Sequence, residues 1–132
     1  MRTNKMIKLV LLSMTMAVFS LDTALAQSTQ PTALKGDPGR GEILYQGCMD
    51  CHSIDKDDVG PRHRGVVGRR AGSIAGFDYS KALKNSGLTW DEATLDRWLI
   101  DPGALVPGTR MFYEVEKPQD RADLIAFLNQ QK

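Results

Sequence analysis

The sequence predicts an all-α domain built from three to five short helices joined by long loops. Apolar residues recur three and four positions apart in several short segments, as on one face of a helix. No stretch of useful length alternates apolar and polar residues as a half-buried strand would. Between the helical segments lie long stretches rich in glycine and proline, which indicate irregular loops. At 132 residues, the chain is long enough for one domain with a single core.

The first 26 residues have the features of a secretory signal peptide. Basic residues precede a mainly apolar stretch over residues 9–21, and Ala24-Leu25-Ala26 is a small-residue cleavage site. That stretch is shorter than the roughly 20 residues that a spanning helix needs, so an uncleaved membrane anchor is the weaker alternative. We therefore expect a periplasmic protein that does not span the membrane, with a flexible N-terminal arm over residues 27–35 and one domain over residues 36–132.

The charge of the mature chain gives no reason to expect a nucleic-acid partner. Without residues 1–26, the chain has 14 Lys and Arg side chains against 15 Asp and Glu side chains. A nucleic-acid-binding domain ordinarily has a clear excess of basic residues. We therefore expect no nucleic-acid partner.

The first helix is predicted to begin at Pro38 and to lead into Cys48. Asp37 is a good N-cap, and proline is favoured at the first helical position. Residues 55–76 contain five glycines and many charged residues, so we expect an irregular loop there. So long a loop in a small domain needs something apolar to pack against.

Two further short helices are expected over residues 79–85 and 91–100, followed by a longer C-terminal helix. Thr89 and Glu92 have the spacing of a capping box at the start of the second of these. Asp101-Pro102 should end that helix, and residues 103–117 should be irregular. Pro118 is expected to open the last helix. Because such short helices are marginal alone, the core must contain something besides side chains.

The central motif of the chain is Cys48-Met49-Asp50-Cys51-His52, the attachment signal for a c-type haem. Two thiols at this spacing can each add to one vinyl group of a haem, while the adjacent imidazole reaches the iron. A disulfide between the cysteines would close a very small loop and contribute little stability. Thiol redox chemistry would need a βαβ pattern that the sequence lacks. A zinc site would use both cysteines, His52 and His63, and would leave no other donor.

A second axial ligand must come from elsewhere in the chain. Four of the six methionines lie in the signal peptide, and Met49 lies between the cysteines, which leaves Met111. Met111 follows Pro107-Gly108-Thr109-Arg110, an irregular segment that could hold a thioether in place. His63 is the alternative, but it lies between Arg62 and Arg64 in a charged loop that we expect to be exposed.

The chain resembles the class I cytochrome c family, particularly its mitochondrial and bacterial c2 members. The matching segments cover nearly the whole mature chain: Val59-Gly60-Pro61, residues 65–69, GFDYS at 76–80, ALKNSGLTW at 82–90, DEATLDRWL at 91–99, VPGTRM at 106–111 and DRADLIAFL at 120–128. The resemblance implies a cytochrome c domain wrapped around one covalent haem c.

The resemblance also implies a role for each matching residue. Cys48 and Cys51 would form the thioether bonds, and His52 and Met111 would be the axial ligands. The carbonyl of Pro61 would accept a hydrogen bond from His52. The residues that would hydrogen-bond or screen the haem propionates are Arg69, Tyr79, Trp90 and Thr109. The close crossing of the first and last helices would involve Gly41, Tyr45, Leu124 and Phe127.

Three positions depart from the family pattern. His63 stands where the family usually has an apolar residue against the haem. Leu83 replaces an asparagine near the methionine side, and Trp98 replaces a tyrosine that bonds to the methionine sulfur. These differences bear on how the haem environment is tuned, and we count Trp98 among the cofactor-binding residues.

With both axial positions filled, the expected function is transfer of single electrons and not enzyme catalysis. A peroxidase is the enzymatic alternative, which would need Met111 displaced and an acid-base group such as His63. The second alternative is a non-catalytic haem subunit held permanently in a dehydrogenase complex. We expect a monomer that exchanges electrons with a bc1-type complex, a terminal oxidase or a periplasmic dehydrogenase, in a respiratory or photosynthetic chain.

Overall fold

The computed structural model describes residues 34–132, so the predicted signal peptide and most of the predicted arm lie outside the described residues. Within this range a short 3-10 turn, Gln46–Cys48, follows the first helix, and the only strand-like feature is an isolated bridge between Arg70 and Thr89. The five helices are α1 Pro38–Tyr45, α2 Lys81–Asn85, α3 Glu92–Ile100, α4 Pro102–Leu105 and α5 Pro118–Gln130. The prediction of an all-α fold with three to five short helices is confirmed.

Short polar side chains determine where the first two helices begin. The carboxylate of Asp37 accepts hydrogen bonds from the backbone N–H groups of Gly39 and Arg40 at the start of α1. The hydroxyl of Ser80 accepts one from the N–H of Leu83 at the start of α2. These bonds satisfy donors that have no partner inside the helix. The predicted N-cap at Asp37 is therefore confirmed.

The predicted capping box at the start of α3 is wrong. The N-cap is Asp91, whose carboxylate accepts from the N–H of Thr94 at 2.7 Å. Thr89 lies two residues earlier, in the bridge with Arg70, and the next residue, Trp90, donates its N–H to the carbonyl of Arg69. Because Thr89 pairs in extended backbone, it lies outside the helix that it was expected to cap.

The structure also contains a helix that the sequence did not predict. Asp101 accepts from the N–H of Ala104 at 2.8 Å and caps α4, and Pro102 occupies the first helical position. The same two residues that end α3 therefore begin a new short helix. A helix of four residues is about one turn long, so it shows no repeating pattern of apolar residues from which it could be predicted.

The crossing of α1 and α5 closes the domain. A Cβ added at Gly41 would overlap the carbonyl of Asp123 and lie 2.8 Å from the Cβ of Phe127, so only glycine allows this approach. The rings of Tyr45 and Phe127 lie 5.1 Å apart between centroids. The residues near the two ends of the domain therefore form one packed core, as the resemblance implied.

A buried carboxylate lies at this crossing. Asp123 is only 1% exposed and accepts hydrogen bonds from the backbone N–H of Asp37 at 2.7 Å and the amide of Gln119 at 2.8 Å. The guanidinium of Arg40 pairs with it and with Asp120. The hydrogen bond from Asp37 is the largest cause that lowers the pKa of Asp123. The carboxylate thus ties the start of α1 to the middle of α5.

Arg121 joins α5 to the segment before it and to α3. The side chain is buried, and its guanidinium donates to the carboxylate of Asp96 at 2.7 Å and to the carbonyls of Val115 and Glu116 at 2.9 and 2.8 Å. These bonds satisfy the charge inside the protein. Arg121 holds the irregular stretch after Met111 against the helices.

Over residues 34–132, none of the helices has the length and hydropathy required to cross a bilayer.

We predict that Asp123→Asn destabilises the folded holoprotein by about 1–3 kcal/mol at pH 7, because the hydrogen bonds of a buried charged group are weakened. The lowered pKa means that the stabilisation by Asp123 is present above the ordinary carboxyl pKa of about 4 and is lost as pH falls through the lower folded value. Denaturant unfolding at pH 7 and at acid pH measures both effects. Asp120→Asn is the matched control, since it removes the more exposed partner of Arg40. Equal losses in the two variants would contradict this assignment.

Candidate haem site

The chain turns tightly at the cysteine motif, directly after α1. The backbone N–H groups of Cys51 and His52 both donate to the carbonyl of Cys48, at 3.1 and 2.8 Å. Both cysteines are free thiols, Cys48 partly buried and Cys51 exposed. Burial raises the pKa of the unmodified Cys48 thiol to about 11. The motif therefore presents two unpaired thiols on one turn, next to an imidazole.

The imidazole of His52 is held in a single tautomer. Its Nδ1 lies 2.7 Å from the carbonyl oxygen of Pro61. Because a carbonyl can only accept, Nδ1 carries the proton and Nε2 presents a lone pair. Burial lowers the pKa of His52, which favours the neutral ring that a metal requires.

The loop around Gly60 fits closely against the same ring. A Cβ added at Gly60 would overlap the His52 imidazole, so no other residue type leaves the ring in place. The N–H of Gly60 donates to the carbonyl of Cys51 at 2.7 Å, which ties the loop to the motif. Sequence reasoning placed Gly60 in the resemblance but gave it no role. Its signal is its position immediately before the proline that bonds to His52.

The expectation that His63 is exposed is wrong. Its ring stacks on His52, with centroids 4.1 Å apart and planes inclined by 20°. The hydroxyl of Tyr45 lies 3.0 Å from its Nδ1. Burial, followed by the charges of His52 and Arg69, lowers the pKa of His63 to about 3, so the ring is neutral at physiological pH. The two arginines beside His63 point to carboxylates of the same loop, Asp57 and Asp55.

The thioether of Met111 accepts a hydrogen bond from Trp98. The indole Nε1 of Trp98 lies 3.1 Å from Sδ, and Trp98 is buried in α3. The Oγ1 of Thr109 accepts from the N–H of Met111 at 3.4 Å. Arg110 donates to the carbonyl and carboxylate of Asp78 at 2.8 and 3.0 Å. The two residues before Met111 and the Met111 side chain itself are therefore held by hydrogen bonds.

Three of the residues expected near the haem propionates are Arg69, Tyr79 and Trp90. Arg69 donates to the carbonyls of Arg62 and Arg64 at 2.8 and 2.9 Å, so it supports the loop that contains His63. Tyr79 is buried, and burial raises its pKa. Trp90 is also buried, and its ring lies 5.0 Å from that of Trp98.

The contacts thus form two clusters of predicted site residues. One contains His52, Pro61 and His63, and the other contains Trp90, Trp98 and Met111 with Thr109 beside it. Leu83 is partly buried against the core. Across residues 34–132, no three His, Cys, Asp or Glu side chains converge as ligands of a metal ion, so the four donors of the zinc alternative do not come together there.

Comparison with known proteins gives consistent similarities. A family model described as Cytochrome c matches residues 39–132. A cytochrome c2 of Rhodomicrobium vannielii is 57% identical over 97 residues, covering 70% of this chain and 78% of that protein. A cytochrome c2 of Blastochloris viridis is 44% identical over 110 residues, covering 80% of this chain and 86% of that protein.

Solved structures give the same similarity in three dimensions. The structure of cytochrome cH from Methylobacterium extorquens is 47% identical with a TM-score of 0.69, and the match covers 71% of this chain and 98% of that one. The ferricytochrome c2 of Rhodopseudomonas palustris is 37% identical with a TM-score of 0.70, over 73% and 99% of the two chains.

We predict that Gly60→Ala displaces the His52 ring from the Pro61 carbonyl, because the new methyl group would occupy the space of the imidazole. The expected result is a severalfold lower yield of haem-bearing protein and an altered absorbance spectrum in the protein that forms. Gly39→Ala is the control, since a Cβ there meets only the end of the Asp37 side chain, at 3.3 Å. An unchanged yield and spectrum in Gly60→Ala would show that the ring does not need this space.

Proposed function

Since the chain belongs to the cytochrome c family, we propose that it is a periplasmic electron carrier in which His52 and Met111 are the axial ligands of the haem iron. The family assigns the coarser function: the chain is a monohaem c-type electron-transfer protein and not an enzyme, and it carries one covalent haem c. The ligand set, the compartment and the partners belong to the proposal.

The observation that carries the proposed ligand set is the fixed tautomer of His52. Its Nδ1–H donates to the carbonyl of Pro61, so the lone pair of Nε2 is available. Burial favours the neutral form of the ring. The free thiols of Cys48 and Cys51 lie on the adjoining turn. Thioether bonds at these two positions, with a nitrogen ligand beside them, are what a c-type haem requires. These residues therefore fit the group.

Met111 is the proposed second axial ligand. One lone pair of its sulfur accepts from the indole of Trp98, which leaves the other for a metal. The haem supplies a one-electron ferric/ferrous couple, and methionine-histidine ligation raises its potential. Trp98 orients the thioether, and the bonds of Thr109 and Arg110 keep the segment from swinging away. With both axial positions filled by the chain, substrate has no position at which to bind.

Four polar or aromatic residues are proposed to hold the haem propionates. Their nature suits this role, since each offers an N–H or O–H donor: Arg69, Tyr79, Trp90 and Thr109. Tyr79 and Trp90 are buried, so their polar atoms face the interior. Burial also lowers the pKa of Arg69, which an anionic partner would counteract.

The proposed partners are a bc1-type complex, a terminal oxidase or a periplasmic dehydrogenase. The protein is proposed to bind them one at a time, as a monomer. The cations proposed for docking are Arg62, Arg64, Lys81, Lys84 and Arg110. Three of these five already pair with carboxylates: Arg62 with Asp57, Arg64 with Asp55 and Arg110 with Asp78. The other two are Lys81 and Lys84, which are exposed on α2 and have no ion pair within residues 34–132. The steering charge is therefore small, and weak, salt-dependent docking follows.

We predict that Met111→Ala abolishes the weak near-infrared charge-transfer band between methionine sulfur and ferric iron, whereas His63→Ala retains it. The reason is that Met111 is free to offer a lone pair, while His63 lies stacked on the His52 ring. Absorbance spectra of the oxidised proteins measure the band. Its persistence in Met111→Ala would refute the proposed ligand, and its absence from the unmodified protein would exclude methionine as a ligand.

We predict that the rate of electron transfer from a bc1-type complex falls by about two- to fivefold between low and physiological salt, because only a few charges steer the encounter. Replacing Lys81 and Lys84 by glutamine should flatten this dependence. Arg62→Gln should change it less, since Arg62 is already neutralised by Asp57. Stopped-flow kinetics across a salt series provide the measurement. A rate independent of salt would exclude electrostatic steering of this pair.

A further inference from the structure

We propose that His63 is a positioning residue that sets the orientation of the His52 ring plane, held in turn by the hydroxyl of Tyr45. The inference rests on the proposed function, since it takes His52 as the axial ligand. It goes further by giving a role to a residue that departs from the family pattern. His63 acts here through the ligand and not as a ligand.

Three contacts surround the His52 imidazole, and they restrain different motions. The carbonyl of Pro61 fixes the Nδ1 edge at 2.7 Å, and Gly60 lies so close that no Cβ fits beside the ring. His63 covers a face, with its plane within 20° of parallel and its centroid 4.1 Å away. A hydrogen bond along one ring edge permits tilting about that bond. A flat partner stacked on the face opposes it.

The stacked ring can perform this role because it is itself fixed. The Tyr45 hydroxyl lies 3.0 Å from Nδ1 of His63, and the Tyr45 ring packs edge-on against His63 at 5.7 Å. The backbone of His63 donates to the carbonyl of Ser53 at 2.9 Å, next to the ligand in the chain. Tyr45 is anchored on Phe127 at the crossing of α1 and α5. The restraint on His52 therefore runs back to the most tightly packed part of the domain.

An apolar side chain at position 63 would fill the same space without defining a plane. Leucine or valine has no flat face to match an imidazole and no atom to bond with the Tyr45 hydroxyl. The orientation of an axial imidazole is a property that its surrounding hydrogen bonds and contacts tune. The histidine ring and the tyrosine hydroxyl thus act together, and removal of either weakens the restraint on the plane of the His52 ring.

The test uses the purified holoprotein and four single variants. His63→Leu removes the ring, His63→Phe keeps a flat ring without the hydrogen bond, and Tyr45→Phe removes only the hydroxyl. Tyr113→Phe is the matched control, because Tyr113 is a half-exposed tyrosine outside this stack. The readouts are the g-values of the oxidised protein by electron paramagnetic resonance, the spread of its haem-methyl proton shifts, and its reduction potential.

The expected result is a graded change. His63→Leu should shift the g-values, alter the spread and order of the haem-methyl signals and move the potential, while His63→Phe and Tyr45→Phe give smaller shifts and Tyr113→Phe gives none. The near-infrared band should remain in all four variants, because Met111 is untouched. Should His63→Leu fail to fold, the comparison of His63→Phe and Tyr45→Phe with the control decides the question.

Spectra of the His63 and Tyr45 variants that match the unmodified protein would overturn the inference. Loss of the near-infrared band in the His63 variants would also overturn it, since His63 would then govern the second ligand and not the plane of the first. Failure of the proposed ligand set is distinguishable, because it would appear in the unmodified protein as absence of the band before any substitution is made.

Discussion

The bond between Nδ1 of His52 and the carbonyl of Pro61 is the interaction on which the rest of the site depends. It fixes the proton on Nδ1 and so leaves the lone pair of Nε2 available to a metal. The bond requires the Pro61 carbonyl to face the cysteine motif from nine residues further along the chain. Gly60 makes that possible, because its missing side chain leaves room for the imidazole. One glycine and one carbonyl therefore give the imidazole of the cysteine motif a defined tautomer and position.

That loop contains no helix or strand, so other parts of the chain must hold it. The guanidinium of Arg69 bonds to two of its carbonyls, and His63 reaches Tyr45 on α1. Tyr45 in turn packs on α5, whose buried Asp123 bonds to the backbone where α1 begins. The crossing of the terminal helices thus does more than close the core. It supplies the rigid surface against which an irregular loop keeps its shape.

The sequence predicts the elements better than it predicts their contacts. Neighbouring residues sufficed to predict the N-cap at Asp37, because the carboxylate of that cap bonds only to the helix that follows it. Thr89 is an equally suitable N-cap residue, but it forms a β-bridge with Arg70 instead. His63 was expected to be exposed because arginines flank it, yet those arginines pair outward while the histidine turns inward to Tyr45. Pairings between side chains far apart in the chain leave no periodic pattern in the sequence. The burial of Arg121 could have been predicted, since Arg121 shares a helix face with Ile125 and Leu128.

The bond from Trp98 to Met111 differs in kind from the tyrosine bond that the sequence comparison gave for this position in other members of the family. A phenol hydroxyl both donates and accepts and can rotate toward another partner, whereas an indole N–H only donates and its direction is fixed by the ring. Trp98 is buried and packed against Trp90, so that ring cannot turn. A donor fixed in this direction holds the Met111 sulfur in one orientation. The proposed role of Met111 as a ligand depends on that orientation.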